Sequence, residues 1–124
     1  MSVTLGPVNE RTTARYTSGP LTDEDDVVVA GSILSTATLT LYDERTGNIL
    51  NSRDAQNVNQ ANGVTISDLG VVSWLLVPAD NAIVDQRVPS EVHVAVFDLR
   101  WDAGASRCVH EVKFLINNVG TVTA

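Results

Sequence analysis

The chain has few of the residues that usually announce chemistry. Among 124 residues there is one cysteine, Cys108, and two histidines, His93 and His110. A single cysteine rules out an intrachain disulfide and points to folding in a reducing compartment. Eight Lys and Arg stand against fifteen Asp and Glu, for a formal net charge of −7. No two basic residues are adjacent, so nothing in the sequence forms the cationic patch that displaces counterions from phosphates. Neither nucleic acid nor an anionic membrane is an expected partner, and a basic protein surface suits the charge better. Aromatic residues make up only 5% of the chain. Apolar stretches such as residues 27–30 and 75–77 fall far short of the roughly 20 residues that span a bilayer. Residues 1–7 lack the basic start and apolar run of a secretory signal, so a soluble chain is expected. The glycines are dispersed and never cluster into a phosphate-cradling loop.

What is present is a two-residue alternation. The length suits one domain, and no window of a dozen residues carries a 3.6-residue apolar period. Ile33, Ser35, Ala37, Leu39 and Leu41 alternate with Leu34, Thr36, Thr38, Thr40 and Tyr42, which predicts a half-buried strand. Gly47 follows in a turn, with residues 48–50 as the return strand of a hairpin. The amide-rich residues 51–63 end in Asn62-Gly63, a strong turn signal. Residues 64–66 then predict a short strand, and residues 71–77 a strand with Val72, Trp74 and Leu76 on one face. Pro78 closes that strand, with Asp80 capping the turn. Residues 83–87 fit either a short strand or one helical turn. Residues 91–101 predict a long strand with His93, Ala95, Phe97, Leu99 and Trp101 on one face, and residues 107–119 its return after a loop at 102–106. Seven or eight short strands argue an all-β antiparallel sandwich or barrel.

Residues 1–26 lack this pattern and predict an extended N-terminal arm, with a short edge strand near Ala14–Thr17; the β-sandwich domain is placed at residues 27–124. Arg11, Arg15 and Tyr16 on the arm, the acidic run Asp23, Glu24, Asp25 and Asp26, and Trp101 at the loop end of its strand are the candidate partner-binding residues.

Spacing removes the catalytic and metal readings. A hairpin symmetric about Gly104 pairs Asp98 with His110 and sets His93 on the opposite face of the sheet. A one-residue slip brings both histidines to one face, but roughly 13 Å apart, so in neither register do they share a metal with bonds of about 2 Å. His110 lies too far along its strand from Cys108 to activate it as a nucleophile, and a buried structural thiol is expected. The acidic run lacks the spaced oxygens and central glycine of a calcium loop. No cofactor, no metal and no enzymatic activity are expected.

The order of Leu39-Thr40-Leu41-Tyr42-Asp43, Thr46-Gly47-Asn48-Ile49, Asn62-Gly63-Val64, Gly70 before the Trp74 strand and Leu76-Val77-Pro78-Ala79-Asp80-Asn81 resembles the immunoglobulin-like domains of tailed-phage virion proteins. These include head decoration or cement proteins and baseplate-upper-protein-like modules. Glu91-Val92-His93-Val94-Ala95-Val96-Phe97, with Glu111-Val112-Lys113-Phe114, is similar to the last hairpin of such a domain. The resemblance covers about residues 33–119. It implies an immunoglobulin-like sandwich and a virion structural role assembled in the host cytoplasm. The implied protein is a homo-oligomer, dimer or trimer, that decorates and stabilises the major capsid protein lattice. A tail, neck or baseplate component is the alternative within that class. A carbohydrate- or host-surface-binding module is the alternative outside it, and it requires an exposed cluster of Trp101 with Tyr16 or Tyr42.

Overall fold

The computed structural model describes residues 2–119, with side chains from Leu5 onward; the last five residues of the expected 27–124 domain lie outside the described residues. Eight strands form two sheets: β1 (Ser2–Asn9), β2 (Ala14–Thr17), β3 (Thr36–Asp43), β4 (Gln56–Asn57), β5 (Val64–Ile66), β6 (Val72–Leu76), β7 (Ser90–Trp101) and β8 (Ser106–Asn117). The larger sheet has the order β1-β8-β7-β3-β4 and the smaller β2-β6-β5. All neighbours are antiparallel except β1, which runs parallel to β8. Two facing sheets with this connectivity make an immunoglobulin-like β-sandwich.

Strand alternation builds the core. Ala37, Leu39 and Leu41 of β3, Ala95, Phe97 and Leu99 of β7, and Val112, Phe114 and Ile116 of β8 all point inward and are buried. From the other sheet come Val72, Trp74 and Leu76 of β6 and Val64 and Ile66 of β5. Trp74, fully buried, meets Phe97 and Phe114 edge-on at centroid distances of 5.6 and 6.0 Å, an arrangement that suits the ring quadrupoles.

The N-terminal segment corrects the expected arm. Residues 2–9 pair with β8, a bulge at Gly6-Pro7 shifting the register between Leu5 and Val8. The edge strand Ala14–Thr17 forms as expected, against β6. Tyr16 and Leu21 are core residues. The apolar residues that dock this segment are too widely spaced to make a periodic pattern, and Pro7 is tolerated because β1 is an edge strand.

The expected hairpin after β3 is only partly formed. Gly47 N donates to Asp43 O and Leu50 N to Leu41 O, and Tyr42 bridges Ile49. The return then breaks because Asn51, Ser52 and Ala55 adopt positive φ, and pairing resumes only at β4. Residues 83–87 are neither strand nor helix.

The last hairpin takes the slipped register. Four residues, 102–105, connect Trp101 to its partner Ser106, so Phe97 faces His110 and Asp98 faces Val109. Asp102, Ala103 and Gly104 all take positive φ, which tightens the loop by one residue relative to a turn symmetric about Gly104. A one-residue shift moves every β8 side chain to the other face. His110 is therefore buried in the core, not paired with Asp98 at the surface.

Candidate interaction surface

The strands leave two chemically distinct ends. At one end β2, β5 and β7 finish and β3, β6 and β8 begin. Here residues 22–35 fold over the 67–71 turn: Gly31 N donates to Ser67 O, Ser32 N to Asp68 Oδ1, Leu21 N to Gly70 O, and Ser35 N to Arg100 O. Gly31 is needed for this closure, because a Cβ at that position would strike the Ile66 carbonyl. The Ser32 hydroxyl and N–H hold the Asp68 carboxyl below the usual carboxylate range.

This end carries the exposed apolar side chains Leu69 (71%), Val27 (59%), Ile33 (50%) and Val28 (37%). The acidic run borders them. Asp23 Oδ1 accepts from the N–H groups of Asp25 and Val27, and Thr22 bridges Val28, so a small hydrogen-bonded loop presents Glu24, Asp25 and Asp26 to solvent. The outcome is an apolar patch with a negative rim.

The structure separates the remaining candidates from this patch. Arg11 and Arg15 are exposed, but Arg11 N donates to Asn81 O beyond the far end of β6. Tyr16 and Trp101 are buried, at 6% and 9% exposure, which corrects their assignment as partner contacts. Tyr16 is inside because its Oη reaches His110 Nε2, 2.6 Å away. Trp101 is in phase with Phe97 and Leu99, so the alternation that buries them buries it as well. With Tyr16 and Trp101 buried and Tyr42 half-buried, these residues do not form the exposed aromatic cluster that a stacking sugar site would use.

Cys108 is half-buried against the core rather than fully enclosed, and burial pushes its thiol up. Burial also pushes the His110 imidazole down. A raised thiol beside an imidazole already engaged by Tyr16 does not make an activated nucleophile.

The opposite end holds polar groups that the sequence reading missed. Arg53 and Asp80, both buried, form a bidentate pair with Nε–Oδ1 at 2.6 Å and Nη2–Oδ2 at 3.2 Å. Asn51 Nδ2 and Val77 N also donate to Asp80, so Asp80 does cap its turn as expected while anchoring an ion pair 27 residues away. The guanidinium sits 5.8 Å from the Trp74 ring centroid. A groove of about 260 Å³ lies above it, lined by Asn51, Arg53, Gln56, Asn62, Gly63, Leu75 and Val77. Also at this end Asp43, Glu91 and His93 converge, all buried.

No protein-family model matches the chain, and no curated protein matches it. Among solved structures, the titin M3 domain is similar at 10% identity, with 90% of this chain and 88% of that one covered and a TM-score of 0.30. A family 123 glycoside hydrolase from Clostridium perfringens is similar at 9% identity and a TM-score of 0.30, with 93% of this chain and 23% of that one covered.

Proposed function

We propose that this chain is a non-enzymatic structural protein of a tailed-phage virion. It decorates the capsid, binding the major capsid protein lattice as a dimer or trimer and stabilising it through many copies. The observation that carries this reading is the set of exposed apolar side chains Val27, Val28, Ile33 and Leu69 at one end of the sandwich, bordered by Glu24, Asp25 and Asp26. Such a patch fits a partner surface that is apolar at its centre and basic at its edge, with the charges steering the encounter. Weak individual contacts repeated over a lattice suffice, because multivalency raises avidity without new contacts. The gripping element is then residues 22–28 and the 67–71 turn rather than a whole N-terminal arm. Placement in the neck, tail or baseplate uses the same surface and differs in copy number.

The test is mass spectrometry of purified virions together with co-sedimentation of the protein with empty capsids. Decoration expects a copy number near that of the major capsid protein, and loss of co-sedimentation for Leu69→Asp combined with Val27→Asp. A handful of copies per particle overturns decoration in favour of neck or baseplate. Absence from virions overturns the structural role altogether.

A further inference from the structure

At the end of the sandwich away from the patch, the inward-facing rows of β3 and β7 turn from apolar to ionisable. Asp43 continues the row Ala37, Leu39, Leu41, and Glu91 and His93 precede Ala95, Phe97 and Leu99. Asp43 is the ladder partner of His93, and Glu91 lies two residues before His93 on the same face. One ligand atom from each of the three lies within 4.8 Å of the other two. Exposures are 1% for Asp43, 5% for Glu91 and 0% for His93.

Two carboxyl groups and one imidazole share the buried cluster. The cations closest along the chain and the ladder are engaged elsewhere, Arg45 with Asp85 and Lys113 with Glu44. Backbone donors help: Val84 N and Asp85 N donate to Glu91, and Thr46 N and its hydroxyl to Asp43. These bonds also fix the carboxylates in place, as the supporting groups around metal ligands do. Glu91 Oε1 and His93 Nε2 are 3.0 Å apart, so the carboxylate and the imidazole already face each other at hydrogen-bond distance. His93 Nδ1 is buried without a hydrogen-bond partner, which leaves it as the ring nitrogen not already engaged by Glu91.

We propose that Asp43, Glu91 and His93 bind one divalent transition-metal ion of the Zn²⁺ class, which pins the end of β3 to the start of β7. Imidazole with two carboxylates selects such an ion over the all-oxygen preference of Ca²⁺. The role is structural, joining two strands and the 84–85 loop that Glu91 holds.

The test uses the full chain stripped with a chelator and titrated with Zn²⁺ or Co²⁺ alone. Calorimetry is expected to show one equivalent bound and thermal melting to show a higher midpoint, since a ligand that binds only the native state stabilises it. Bound Co²⁺ is expected to give visible ligand-field bands without a thiolate charge-transfer band. Glu91→Gln and Asp43→Asn should each weaken binding by about 100-fold, at or beyond the upper end of what outer-shell losses cost, while Cys108→Ser and His110→Asn should leave it unchanged. Absence of stoichiometric binding, a thiolate band, or loss of binding in Cys108→Ser would each overturn the proposal. Should the carboxylate variants fail to fold, the wild-type stoichiometry and the Co²⁺ spectrum decide alone.

Discussion

Tyr16 of the smaller sheet and His110 of the larger one meet in the core, Oη to Nε2 at 2.6 Å, with their rings stacked at a centroid distance of 5.8 Å. The contact joins the two sheets across the core of a chain whose one cysteine allows no intrachain disulfide.

The burial of His110 makes stability depend on pH. Burial lowers the His110 value below the ordinary 6.5, so in that range the unfolded chain binds the proton that the native state refuses. Stability from this group is complete above 6.5 and is lost as pH falls through 6.5 toward the depressed native value. Urea midpoints measured across this range should fall toward acid, and His110→Asn should remove that part of the slope. Tyr16→Phe, which strands the imidazole, should cost about 1–3 kcal/mol.

The Arg53–Asp80 pair should be far more costly to break than to replace. Arg53→Met leaves Asp80 buried and without its cation, and about 3–5 kcal/mol of stability should be lost in chemical denaturation. Combining it with Asp80→Leu should recover part of that loss, because the isolated charge is gone.

Gly31→Ala should be disproportionately destabilising for a loop substitution. The new methyl has nowhere to go but the Ile66 carbonyl, so the 22–35 loop must lift from the 67–71 turn. A melting temperature lowered by several degrees is expected, corresponding to about 1–3 kcal/mol for overpacking. Gly19→Ala, with open space around its Cβ position, should leave the midpoint unchanged.

Cys108 should react slowly with a disulfide reagent in the native state and rapidly in denaturant. Its half-buried thiol is held above its ordinary value, so the thiolate that does the attacking is scarce near neutral pH. The native rate should climb steeply as the solution is made alkaline.

The sequence made β3, β5, β6, β7 and β8 legible wherever the alternation ran unbroken, and Trp74 was recognisable as core from Val72 and Leu76 beside it. Of the N-terminal strands, β2 was legible as a short edge strand at Ala14–Thr17; β1 was not, because Gly6-Pro7 interrupts its period, and Tyr16 and Leu21 did not read as core because they are isolated apolar residues. His110 was misplaced by one residue of loop length, since three consecutive positive-φ positions, two of them not glycine, have no reliable composition signal. Trp101 could have been assigned inward from its phase with Phe97 and Leu99. The Arg53–Asp80 pair and the Asp43–Glu91–His93 convergence join residues brought together only by the sheet and its loops, which no local pattern encodes.

The parallel pairing of β1 with β8 sets the order in which this domain can be completed. Val3 is the ladder partner of Val112, so β1 waits for partners made more than a hundred residues after it. During synthesis the outer edge of β8 does not yet exist, and β1 leaves the ribosome with no partner of its own. The long loop this contact closes carries an entropic cost that only the assembled sandwich can offset. Docking of β1 is thus expected as a late step, after β3, β7 and β8 have formed their sheet. Until then the edge of β8 stays open to other chains.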